Sequence, residues 1–155
     1  MTRTDWIDVY RESAYSFPCR DGGWHRFTLS EQQGDLPKPF ADIIGHRGSL
    51  TIITAWNPMS VERSLSANEC ANAELRKDFE EAGVDFDQAF GSSLPGVSPN
   101  WQEDGFVLFG LDQEQAMHWG QHVQQRALVW MDAKQAGLLF CEGNGFVPCG
   151  VQEIA

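Results

Sequence analysis

Positive charge is scarce in this chain: 11 Lys and Arg stand against 22 Asp and Glu, a formal net charge of -11. A surface of that sign repels phosphate backbones and anionic headgroups, so neither nucleic acid nor a membrane surface is an expected partner. No apolar run approaches the roughly 18 residues of a membrane span. The amino terminus, Met1-Thr2-Arg3-Thr4-Asp5-Trp6, has no apolar stretch of the secretory kind. Cysteine is sparse, with Cys19, Cys70, Cys141 and Cys149 and no CxxC among them. Only Cys141 and Cys149 lie near each other, seven residues apart across Gly143-Asn144-Gly145, which a hairpin can bring together but which does not match a zinc knuckle. A reducing, cytoplasmic setting is the simplest expectation. Phosphate-binding loops, dinucleotide fingerprints and nucleophile elbows are missing too, because Gly105, Gly110, Gly143 and Gly145 lack the strand-to-helix context those motifs need. No metal and no cofactor is expected.

What is present is enough for a core. The 155 residues are 42% hydrophobic, and with no internal repeat or linker they are read as a single domain, residues 1–155. Residues 5–13 carry Trp6, Ile7, Val9 and Tyr10 at partly helical spacing. Residues 14–17 and 24–29 read as strands joined through Asp21-Gly22-Gly23, a hairpin. Residues 31–39 are polar and suit a loop, and Phe40, Ile43 and Ile44 then lie on one side of a short helix closed by Gly45 and Gly48.

Residues 50–55 are rich in β-branched side chains without strict alternation, the pattern of a central strand covered on both faces. Ser66-Ala67-Asn68-Glu69 fits a capping box, with Ser66 as N-cap of a helix that runs to Ala82 before Gly83 and buries Ala71, Leu75, Phe79 and Ala82. Residues 87–100 hold so many glycines, serines and prolines that they read as a long irregular loop. A strand at 106–109 follows. Asp112 caps a helix to about Gln124, with Ala116, Gly120 and Val123 on its apolar side. Residues 128–131 and 137–141 pair across a turn, and residues 146–151 add an edge strand interrupted by Pro148. The expected fold is α+β: a mixed, mainly antiparallel sheet packed with about four helices.

Thr51 to Ser60 is the most informative stretch, a buried strand that ends in polar groups where a helix is about to begin. Pro58 disfavours the α region at Asn57 and so favours an abrupt exit from the strand. Asn57 and Ser60 can bond local backbone, and this fastening role is the plainer reading of both. Asn68 shares a helix face with Leu75 and Phe79, so its amide points inward and needs partners that Asn57, Ser60 or a ligand can supply. Glu103 ends the breaker-rich segment; as a surface carboxylate or cap it is unremarkable, but in a cleft beside Trp101 desolvation would raise its pKa and suit it to acid–base chemistry. Gln125 falls opposite the apolar stripe of its helix unless the switch to a strand turns it inward. Trp56 and Trp130 read as core; Trp101 is the better ligand contact. His118 and His122 stand at i and i+4, but the glutamate of a metalloprotease helix is absent and both fall on the solvent face.

Several of these segments, in order, resemble a bacterial family called domain of unknown function 3293. They are Thr54-Ala55-Trp56-Asn57-Pro58-Met59-Ser60, Asn68 opening a helix with Leu75, Trp101-Gln102-Glu103, residues 108–111, and Gln125-Arg126-Ala127-Leu128-Val129-Trp130. The likeness runs over about residues 10–130. It departs after Glu103, where Asp104-Gly105 stands in place of residues more like proline and serine. The resemblance implies a fold and a set of residues rather than a reaction.

Two functions follow as expectations. The first is binding of a small polar molecule by Asn57, Ser60, Asn68, Trp101 and Gln125, with Glu103 as the catalytic candidate. The second is an acidic adaptor or inhibitor that meets a basic protein partner through Glu74, Asp78, Glu81, Asp85 and Asp87. Its basis is that 11 acidic residues between Ser64 and Gln125 face only Arg76 and Lys77, a local balance of -9. Solvated helix faces explain the same charge, and mimicry of DNA would require a regular array of carboxylates.

Overall fold

A computed structural model of the chain describes residues 2–142 and 145–154; Met1 and the Gly143-Asn144 part of the expected turn lie outside the described residues. Thr2 and Asp5 form a reciprocal capping box that starts α1 (Arg3–Arg11). The expected hairpin follows as β1 (Ser13–Pro18) and β2 (Trp24–Ser30), paired antiparallel. Helix α2 (Lys38–Arg47) begins earlier than expected, because Pro39 sits in the first turn, where its missing N–H is harmless; Gly45 is inside the helix, and Gly48 alone, at φ 90°, ends it.

Strand β3 (Ser49–Ile53) is buried throughout, as its composition predicts. After a 3-10 turn (Pro58–Ser60), α3 (Leu65–Ala82) is capped by Ser64, whose side chain accepts from the Ala67 N–H, and not by Ser66. Its left-handed C-cap is Gly83. Leu75 and Phe79 are buried as expected, but Ala82 is exposed, and the buried face is completed by Asn68 and Asn72.

The expected loop at 87–100 is largely a strand. Residues Asp85–Ser93 form β4, hydrogen-bonded to β1 on one side and to β5 (Gln102–Phe109) on the other. Two flanking ladders supply backbone partners that outweigh poor local propensity. Then come α4 (Gln113–His122), capped by Asp112, and β6 (Ala127–Asp132), β7 (Ala136–Phe140), β8 (Phe146–Pro148) and β9 (Gly150–Glu153).

Four helices thus accompany a nine-stranded sheet of order β8-β7-β6-β3-β5-β4-β1-β2-β9, an α+β fold in which every described pairing is antiparallel. Only Cys149 separates β8 from β9 in the chain, yet these strands are the two ends of the sheet. The sheet therefore rolls until its ends meet, and the Cys149 N–H donates to the Ala136 carbonyl of β7 at 2.8 Å. Closure leaves little open edge to pair with another chain.

Alternate residues divide between two cores. Leu50, Ile52, Val107, Phe109, Val129 and Met131 face the inside of the roll with Phe40 and Ile44 of α2. Ile53, Phe106, Leu108, Leu128 and Trp130 face outward, under Leu75 and Phe79 of α3 and Ala116 of α4. Phe79 meets Trp119 edge-on at 4.8 Å, joining α3 to α4. Among the described residues no helix is long and apolar enough to cross a membrane.

Candidate functional site

One end of the roll is filled and the other is open. Phe17, Phe27, Phe40 and Phe109 interlock at the filled end, with Phe27 and Phe40 edge-on at 5.2 Å. At the other end the inward positions carry Ala89 and Gly91 on β4 and Ala127 on β6, and beside those small residues lies a cleft of about 600 Å³. That size suits one small molecule, and the mouth of a rolled sheet is a common place for one. Trp6, Val9 and Tyr10 of α1 form one wall. The corner after β3 lines it as well.

That corner is held in an uncommon backbone state. Asn57, Met59 and Ser60 have φ of 46°, 54° and 63°, all left-handed. Such residues persist only where their surroundings fix them. Asn tolerates this region best among L-residues, and Pro58 had already excluded the right-handed helix at Asn57. The fastening comes from α3 and β5. The Asn57 N–H donates to Asn68 Oδ1 at 3.0 Å, and Asn68 Nδ2 donates back to Asn57 Oδ1 at 3.0 Å. Asn57 Oδ1 also accepts the Arg63 N–H at 2.9 Å. Asn57 Nδ2 is then directed to Glu103 Oε1, 3.0 Å away.

Asn72, one turn beyond Asn68, repeats the arrangement. Its Oδ1 accepts the Ala55 N–H at 2.9 Å and its Nδ2 donates to the Asp104 carbonyl at 2.7 Å. The Thr54 hydroxyl donates to that same carbonyl at 2.6 Å. The sequence reading missed Asn72 and Thr54, although Asn68 and Asn72 at i and i+4 mark a polar pair on the buried face of one helix. A Cβ at Gly105 would overlap the Ile53 carbonyl oxygen, so glycine allows β3 to approach β5 there.

Five of the six expected residues reach the cleft: Asn57, Ser60, Trp101, Glu103 and Gln125 all line it. Asn68 does not. It is buried behind Asn57 at 3% exposure and acts as that residue's fastening. Gln125 does turn inward, because left-handed Gln124 (φ 56°) ends the α4 segment, and its Nε2 donates to the Trp56 carbonyl at 2.9 Å. Trp56 is not the strand core residue expected: it lies in the corner, half-buried on the cleft wall, with its indole N–H buried and without a partner among the described residues. Trp130 is core, as expected. Trp101 is 40% exposed and stands beside Gly91, while Ser60 is exposed at the mouth.

Glu103 is the half-buried carboxyl of this cleft. Burial pushes its pKa up, and the hydrogen bond from Asn57 opposes part of that rise. Nearby, burial also raises the Tyr10 hydroxyl to about 12, so Tyr10 stays neutral. The Tyr15 hydroxyl donates to the Tyr10 carbonyl at 2.8 Å. His118 and His122 lie far from this region on the exposed side of α4, where His122 Nε2 is 3.0 Å from Asp78 Oδ2.

Comparison with curated proteins and with solved structures gave no match. The model of the family described as "Protein of unknown function (DUF3293)" matches residues 53–128, a narrower span than the motifs suggested but one that contains the corner, Asn68, Trp101, Glu103 and Gln125. Over that span the chain carries the family's pattern, and the resemblance read from its motifs is shown.

Proposed function

We propose that the protein binds one small polar molecule at the open end of its rolled sheet, with Asn57, Ser60, Trp101, Glu103 and Gln125 as its contacts and Asn68 as the residue that holds Asn57 in place. The observation that carries this reading is convergence. Residues from the corner, from β5 and from the α4–β6 turn meet on one cleft around a single half-buried carboxyl. A fold that needed only to fasten a turn would have no use for the small side chains of Ala89, Gly91 and Ala127 beside it. Glu103, whose pKa burial raises, is the carboxyl within the cleft placed to take up and release a proton, so acid–base chemistry here runs through it. Four free cysteines, two of them buried, support the cytoplasmic setting that accompanies this reading.

Filling the cleft tests the proposal without touching any hydrogen bond in it. A Cβ at Gly91 meets nothing closer than 3.8 Å, so Gly91→Leu projects into the space while the strand persists. A fragment panel followed by amide chemical shifts should perturb Asn57 and Glu103 in the wild type and leave Gly91→Leu silent. The same response in both proteins, or none in the wild type, sinks the idea.

The second reading, docking of a basic protein on Glu74, Asp78, Glu81, Asp85 and Asp87, is supported less well. Arg47 makes a two-pronged contact with Asp85 at 2.7 Å, and Asp78 already faces His122. Partner capture at low salt that disappears at high salt would favour it.

A further inference from the structure

The cleft has a one-sided charge pattern. Among the described residues three carboxylates line it, Glu12 and Glu62 at the mouth and Glu103 within, and no Lys, Arg or His does. Arg126 stands outside the lining: its guanidinium lies 4.2 Å over the Trp6 ring and its Nη2 donates to the Met59 carbonyl at 3.3 Å, while its Nε is buried without a partner among the described residues. Aromatic faces stand among the carboxylates, with Trp56 and Trp101 on the walls beside Glu103. A ring face attracts a cation electrostatically and, unlike water, also accepts its alkyl groups. The floor, formed by Ile52, Ala89 and Val129, is apolar.

Resting on the binding function above, we propose that the ligand is a small alkylammonium ion, its charge held by Glu103 and its alkyl groups set against Trp56 and Trp101. Three alternatives fit less well. Anions meet three carboxylates on a lining that holds no cation among the described residues. A guanidinium asks for both oxygens of a carboxylate, and Asn57 already occupies Glu103 Oε1, leaving one for a single-point partner. Metal ions need clustered ligands, and among the described residues no three of His, Cys, Asp and Glu converge to hold one.

The probes are choline, its neutral carbon isostere 3,3-dimethylbutan-1-ol, and the anion 3,3-dimethylbutanoate, titrated against the full chain by tryptophan fluorescence and amide chemical shifts. Choline should bind about tenfold more tightly than the neutral alcohol, the size of a desolvated cation–π contact with its counter-ion, and the anion should not bind. Glu103→Gln keeps an acceptor for Asn57, so the fold is retained; it should remove the preference for choline and leave the alcohol's affinity as it was. Trp101→Leu, at an exposed position, should weaken choline more than the alcohol. Equal affinity for choline and the alcohol, tighter binding of the anion, or choline affinity unchanged in Glu103→Gln overturns the cationic assignment, while shifts at Asn57 with those other probes would leave small-molecule binding intact. No shift with any probe counts against both.

Discussion

Glu103 and Asn68 are predicted to behave in opposite ways when replaced. The Glu103 carboxyl has a pKa raised above its ordinary 4.5, so the folded protein holds this proton more tightly than the unfolded chain. Stability therefore falls as pH rises from about the unfolded value through the raised folded value, and stays lower above it. Glu103→Gln lacks that loss. Its melting temperature should gain on the wild type as pH rises from 4 to 8, a scan that thermal denaturation reads directly; a variant that is worse at pH 8 than at pH 4 would mark Glu103 as a structural acceptor only. Asn68→Ala should be destabilised at every pH by about 2–4 kcal/mol, because it strands the half-buried Asn57 N–H and frees a left-handed corner. For a chain of this length that lowers the melting temperature by roughly 5–10 °C. Glu103 is thus a residue whose charge the fold tolerates at a cost, and Asn68 one on which the fold depends.

At the scale of elements, β3, the corner and β5 form one unit. Thr54 and Asn72 both end on the Asp104 carbonyl, and Gly105 admits the Ile53 carbonyl next to it. Gly105→Ala should cost about 2–3 kcal/mol by driving β3 away from β5. Urea denaturation measures that cost, and the Asn57 and Glu103 amide resonances should shift with it; an unperturbed site would show that the strand spacing does not set the corner. The hairpin, the central β3 and the Asp112-capped helix were all legible locally, since turn residues, β-branched runs and caps act within a few positions. Strand β4 was not. Its glycines and serines read as breakers, and only ladders from β1 and β5, with paired residues ten or more positions apart in the chain, supply its partners. The start of α3 was misread by one short step, because Ser64 and Ser66 both present a cap and only the Ala67 N–H distinguishes them.

Over the whole molecule the net charge of -11 acts as self-repulsion that the folded state concentrates. Raising salt from about 20 to 300 mM should screen it, since the Debye length falls to several ångströms in that range. Stability should then rise, as read by thermal melts in a non-binding salt. A falling melting temperature would mean that exposed pairs such as Lys38–Asp42 outweigh the repulsion.

Chemical character was written in the chain itself: the acidity, the absence of phosphate-binding loops, the buried strand ending in Asn57-Pro58, and Glu103 beside Trp101. These depend on residue type and on neighbours within a turn or two. Which of those groups meet was decided by the rolling of the sheet. The strand buried on both faces lies in an antiparallel sheet, because closure and outer helices cover two faces as well as parallel crossovers do. The same closure left a cleft at one end of the roll beside small residues from β4 and β6, placed Asn68 behind the site instead of in it, and brought Gln125 to the corner. Cavities and contacts of that kind follow from pairing over long stretches of chain, and no local pattern carries them.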